Sequence, residues 1–266
     1  MLTVAGFLLR RVFGLVVLVL VFLVGSRDGV EAQTPGVVEV PADWALIPSG
    51  LEAGAEFRLL FRSSTQLAAT EGGIAVWNDR AATRAGAGHA AVRAHKDLFR
   101  VVGSTADTDA RDNVFMNPNN SAHPDAPVWW LNGPRVAADT AGFWSDSWEN
   151  WGAGDCRMES GAACTDASSW PWTGTNSDGT KATQHLGHNP NVRHGSLATD
   201  ANTSGPISKN QVARTQSRPF YAMSPVFRVE AARDDIVDVP HDWALVPAGV
   251  GPGGAFRLLF RTSRTT

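Results

Sequence analysis

Residues 40–64, VPADWALIPSGLEAGAEFRLLFRSS, decide the reading of this chain, because they return at 239–263 as VPHDWALVPAGVGPGGAFRLLFRTS. The copies align without a gap: Pro41 with Pro240, Trp44 with Trp243, Phe57 with Phe256, Phe61 with Phe260. Self-similarity of this kind marks an array of like units. The first copy opens a long non-repeated stretch, whereas six residues follow Phe260. The pattern predicts one whole module over 40–231 and a truncated start of a second copy over 232–266, with a short linker over 33–39.

Within the repeated stretch, Phe57, Leu59 and Phe61 alternate with Arg58 and Arg62, the period of a strand. Leu60 breaks the alternation, which predicts cover on both faces. Downstream, Ile74, Trp77, Ala81 and Ala85 recur at helical spacing, with Asn78, Asp79, Arg80 and Arg84 turned to water and Gly86 and Gly88 ending the helix. Short strands are predicted over 98–103, 128–131, 170–174, 192–195, 220–223 and 226–229. Between them lie a polar turn at 107–113, an Asn132-Gly133 turn, one helical turn at 139–143, a long loop over 145–169 and a polar stretch over 198–217. Many short strands, one early helix and long loops predict an α+β fold, not a parallel sheet with crossovers.

The chain has 266 residues, 43% hydrophobic, enough for a sizeable core. A net charge of −3 leaves no electrostatic footprint for nucleic acid. Ten Trp against one Tyr point to an aromatic core more than to exposed platforms. At the N-terminus, Arg10 and Arg11 precede an apolar run over 12–24, Gly25-Ser26 breaks it, and Val30 and Ala32 set small residues before a cut at Ala32. That is a signal peptide over 1–32, and the run is shorter than the about 20 residues of a membrane span. The expectation is a secreted or cell-surface protein with no membrane association after cleavage. In an oxidising compartment Cys156 and Cys164 read as a disulfide, which pins a loop and adds only about 2–3 kcal/mol.

Three segments together resemble the C-type-lectin-like fold in its endostatin-like and related bacterial variants. They are FRLLF followed by a helix and an alanine-rich strand at 90–93, PVWWLNGPRV at 127–136, and WTGTNSDG at 172–179. The resemblance implies that the strand over 226–230 closes the fold beside the opening one. It also implies a non-enzymatic module that binds a carbohydrate or an extracellular protein. The opening DWALIPSGL…FRLLF is similar to modules repeated in exported bacterial surface proteins of unknown function. Two family features are missing. The core cysteines have no counterparts, and the glutamate–proline–asparagine loop of the calcium-dependent sugar site is absent.

Four groups of residues are candidate sites. Trp144, Trp148 and Trp151, flanked by Asp146, Glu149 and Asn150, read either as one face of a core helix or as an aromatic shelf for sugar rings. Asp146 and Glu149 would be the carboxylates of the competing reading, a secreted glycan hydrolase, although nothing nearby splits their acidities. A third reading is a structural spacer from a longer repeat protein. Asp107, Asp109 and Asp112 offer oxygen ligands to calcium but lack the glycine and distal glutamate of an EF-hand; a solvated turn is the plainer reading. His185, His188 and His194 cluster without the geometry that zinc needs. No cofactor is otherwise implied. The apolar face of residues 239–261 is expected to support self-association.

Overall fold

The computed structural model describes residues 36–146, 148–152, 154–164, 170–197 and 205–231; the leader and the second copy lie outside them. In chain order the strands are β1 (Val38–Val40), β2 (Glu56–Arg62), β3 (Arg100–Val101), β4 (Val128–Trp130), β5 (Arg135–Ala137), β6 (Asn191–His194), β7 (Asn210–Ala213), β8 (Tyr221–Met223) and β9 (Phe227–Val229). The helices are α1 (Ile74–Ala87), α2 (Ala90–Arg93), α3 (Ala110–Asn113) and α4 (Thr140–Phe143). The fold is α+β: β1–β5, β8 and β9 form a seven-stranded mixed sheet, and β6 and β7 pair separately.

Strand β2 sits at the centre of the sheet. It runs parallel to β4 on one side and antiparallel to both β8 and β9 on the other. Strands β8 and β9 are two halves of one line, interrupted at Ser224-Pro225. There Ser224 bridges the gap: its Oγ accepts from Leu59 N–H at 2.8 Å and its N–H donates to Leu59 O at 2.9 Å. The ladder therefore passes a proline that has no N–H to give.

Both faces of β2 are covered, which is what the misplaced Leu60 implied. Phe57, Leu59 and Phe61 pack with Trp77, Ala81 and Ala85 of α1 and with Trp172, Phe220 and Phe227. Leu60 joins a second core with Val128, Trp130, Tyr221, Phe143, Trp144 and Trp148. Arg58 is only 1% exposed, and its guanidinium donates to four carbonyls: Val114 (3.0 Å), Phe115 (2.8 Å), Ser224 (3.3 Å) and Pro124 (3.4 Å). Burial pulls its pKa down to about 10, so it stays charged at neutral pH. One cation thus gathers the chain after α3, the loop before β4 and the β8–β9 break onto one strand.

Helix α1 lies where the period placed it, with Trp77, Ala81 and Ala85 buried. It runs through Gly86 and ends at Gly88. Gly88 is needed for closeness, since a Cβ there would lie 2.2 Å from Glu159 O. Glu159, 3% exposed, accepts from Ser64 N–H at 2.8 Å, from Ser64 Oγ and from Arg84, tying the loop half to β2 and α1. The Cys156–Cys164 disulfide closes the short loop that presents this carboxylate. Met158 N–H donating to Ala162 O (2.8 Å) stiffens it.

Several expectations are corrected. Val38 and Glu39 belong to β1, not to a linker, because β1 covers the outer edge of β9. Residues 90–93 form a helix, not a strand: His89 Nδ1 accepts from Ala91 N–H and alanine favours helix. The polar turn at 107–113 contains α3, and the strand at 98–103 shrinks to β3. The polar stretch at 198–217 contains β7, which pairs with β6. Residues 170–174 make isolated bridges through Trp172 rather than a strand.

Replacing Arg58 by Ala takes the donor from four carbonyls, two of them in fully buried bonds. Urea unfolding is expected to show a loss of about 3–5 kcal/mol; a loss below about 1 kcal/mol would mean the guanidinium does not organise this region.

Candidate functional site

The connection between β1 and β2 is built from tight turns. Trp44 N–H donates to Pro41 O (2.9 Å), Ile47 N–H to Trp44 O (3.1 Å) and Leu51 N–H to Pro48 O (3.2 Å). Gly50 takes φ +86°, a conformation that favours glycine. Trp44 anchors the segment, its ring 5.0 Å from Phe227, 5.9 Å from His95 and 6.3 Å from Phe57. Facing this segment is the β4–β5 hairpin, with Asn132 at φ +58° and Gly133 N–H donating to Trp130 O (2.9 Å). Gly133 has no room for a side chain, since a Cβ would fall 2.8 Å from Trp130 Cβ.

Between the two lies a cleft of about 310 Å³ lined by residues 45–49 together with Trp130, Asn132 and Gly133. Its apolar wall is Leu46, Ile47 and Pro48, and its polar side chains are Ser49 and Asn132. None of the lining residues is ionisable, so the cleft offers shape, an apolar surface and neutral hydrogen-bonding groups. Sequence reasoning passed over it because Asn132-Gly133 and Pro48-Gly50 read only as turns.

The Trp144–Trp151 run does not form a shelf, and no helix carries it: α4 ends at Phe143. Trp144 and Trp148 are 5% and 3% exposed, and their indole N–H groups donate to Met116 O (2.8 Å) and Phe143 O (2.9 Å). Trp148 also stacks on Phe143 at 4.9 Å. Both are core side chains, and Trp151 packs half-buried beside them. Asp146, at φ +59°, accepts from Ile207 N–H (2.8 Å) and Ser208 N–H (3.4 Å). Burial raises its pKa, and those N–H groups oppose the rise. Glu149 pairs with Arg135 Nε at 2.9 Å near the surface. The signal missed here was Gly205, where a Cβ would lie 1.9 Å from Asp146 Cγ. Asp146 is a clasp between loops.

The aspartates at 107, 109 and 112 do not share a centre. Asp109 Oδ1 accepts from Lys181 N–H (2.8 Å), Asp112 Oδ1 from Asn117 Nδ2 (2.6 Å), and Asp107 is exposed. Among the described residues no three His, Cys, Asp or Glu side chains come together as a metal site. His185 and His188 meet edge-on at 5.4 Å, with Nδ1 atoms against the carbonyls of Leu186 and Asn191. His194 is apart from them and fully buried.

His194 stacks on Trp170, rings 5.0 Å apart and 7° from parallel. Arg218 and Lys209 lie 4.9 and 5.4 Å from the same indole. Its Nδ1, 2.8 Å from Gly195 O, must carry the proton, while Nε2 is buried without a hydrogen bond. Burial, with Arg218 and Lys209 adding to it, lowers the pKa to about 4.

No protein-family model matches the chain. No curated protein matches it either.

His194 makes stability depend on acid. Unfolded, it takes a proton near pH 6.5; folded, it refuses one until about pH 4. Its contribution is therefore intact above pH 6.5 and lost as the pH falls from there to about 4, up to about 3 kcal/mol. The pH-dependent loss in urea unfolding is expected to be smaller in His194→Gln than in the parent. Equal slopes would show that this imidazole is not the group responsible.

Proposed function

We propose that the module over 40–231 is a non-enzymatic, lectin-like binding unit, exported to the cell surface or medium, with the neutral cleft beside Ser49 as its ligand site. The lining of that cleft carries the reading. An apolar wall of Ile47 and Pro48, backed by the buried Leu46 and flanked by the Ser49 hydroxyl and the Asn132 amide, suits the mixed apolar and hydroxylated faces of a sugar ring. An exposed side chain of an extracellular protein is the other ligand of the right size. A glycan hydrolase would need two opposed carboxylates, whereas Asp146 is spent on backbone N–H groups and Glu149 on Arg135.

Two further observations support the reading. The closing strand β9 lies beside the opening β2, as the lectin-like resemblance implies. The disulfide suits the oxidising compartment to which the leader points. The cleft wall at 45–49, ALIPS, also recurs at 244–248 as ALVPA, so a tandem array would repeat the site and bind with avidity.

The test is a glycan and extracellular-protein array probed with residues 33–266, beside a Ser49→Trp variant. Ser49 is exposed, so the indole should fill the cleft with a stability change within about 0.5 kcal/mol. Binding is expected to fall by at least about tenfold in Ser49→Trp. A ligand bound equally well by both proteins would remove the cleft from the account, and a parent that binds nothing on either array would remove the function.

A further inference from the structure

The second copy matches, position by position, the segment that runs from the end of β1 through β2. Every buried apolar side chain that the first copy contributes is repeated. Val40, Leu46, Phe57, Leu59, Leu60 and Phe61 correspond to Val239, Leu245, Phe256, Leu258, Leu259 and Phe260. The anchor Trp44 is repeated as Trp243.

The polar handles are repeated too. Arg58, which needs four carbonyls supplied by the rest of the module, has its counterpart in Arg257. Ser64, which holds Glu159, has Ser263. Ser63, whose Oγ accepts from Phe220 N–H, has Thr262, which keeps the hydroxyl. Gly50 and Gly54, at φ +86° and +82°, return as Gly249 and Gly253. The copies differ mainly where the first is exposed or half-exposed: Ala42, Ser49, Glu52, Ala53 and Glu56 face His241, Ala248, Gly251, Pro252 and Ala255.

Geometry allows the second copy to reach the slot from its own end of the chain. β1 lies parallel to β9, with Val38 opposite Phe227 and Val40 opposite Val229, at the outer edge of the sheet. A chain leaving β9 must return about 10 Å along the strand and move about 5 Å sideways to start where β1 starts. Residues 230–236 span up to about 23 Å when extended. The module's opening and closing strands are neighbours, the arrangement that tolerates circular permutation.

We propose that residues 239–263 are an interchangeable opening segment for this same module, able to take the place of residues 40–64 between β4 and β8–β9 of the same chain. The body has one slot and two segments that fit it. What separates them is slight: Glu56 pairs with Arg228 across β2 and β9, and Ala255 cannot. A half-exposed ion pair of this kind biases the choice toward the first copy without forbidding the second. On the reading of the cleft as the ligand site, ligand binding would follow the exchange, because the seated copy also supplies the cleft wall, with Ala248 replacing Ser49.

The exchange is tested in the full mature chain by rescue. Leu59→Asp puts a carboxylate into the core on β2, where Leu59 is 0% exposed. If Leu258 can stand in, Leu59→Asp keeps the near-UV circular dichroism of the parent and melts within about 5 °C of it. Leu258→Asp alone behaves as the parent, and Leu59→Asp/Leu258→Asp is unfolded. Light scattering should find the rescued Leu59→Asp protein monomeric. Leu59→Asp as unfolded as the double variant overturns the proposal, and so does a double variant that still folds or a rescue seen only in dimers. Array binding by the parent plays no part in these readouts, so failure here is separate from failure of the cleft.

Discussion

A buried arginine on a strand with no exposed face is the constraint on which the rest of this structure depends. Arg58 cannot reach water, so its charge has to be met by carbonyl dipoles, and three segments supply four of them. The cost of leaving such a group unmet is several kcal/mol, comparable with the whole stability of a small domain. That fixes where the chain after α3, the loop before β4 and the β8–β9 break must lie. The irregular half of the molecule is thereby ordered without much regular secondary structure.

The same logic runs through the loops. Indole N–H groups of Trp77, Trp130, Trp144, Trp148 and Trp172 each donate to a backbone carbonyl: Glu71, Asn150, Met116, Phe143 and Leu67 respectively. Tryptophan is useful here because one residue fills a large apolar volume and also ties down a carbonyl that a helix or sheet would otherwise satisfy. Asp146 and Glu159 do the converse, accepting from N–H groups of loops and turns. Charged side chains that sequence alone offers as chemistry are in this fold largely the substitutes for absent secondary structure. The cleft, by contrast, is lined by neutral groups.

What could be read from sequence was what has a period or a repeat. The alternation in FRLLFR, its break at Leu60, and the helical spacing of Trp77, Ala81 and Ala85 gave β2, its two covered faces and α1. The Asn132-Gly133 turn was visible because that dipeptide has its own backbone chemistry. β1 and β7 were not legible: β1 is three residues set between Pro35-Gly36 and Pro41, and β7, Asn210–Ala213, is mostly exposed and offers no apolar run. Trp144 and Trp148 were legible as core or shelf and no further, because their spacing is helical while their backbone is not. The Glu159 and Asp146 clasps join residues far apart in sequence, and only Gly88 and Gly205 hinted that something approached closely there. The cleft was invisible for the same reason: its two walls are turns far apart in the chain, at 45–49 and 130–133.

If β2 is the element that all else is packed against, its amides open only when the whole module does. Hydrogen exchange followed by mass spectrometry or NMR tests this directly. The amides of Leu59, Leu60 and Phe61 should be among the slowest in the chain, with an opening free energy equal to that of global unfolding. Exchange of these amides at the rate of the loop over 117–126, while α1 stays protected, would show that the strand is held by its neighbours rather than holding them.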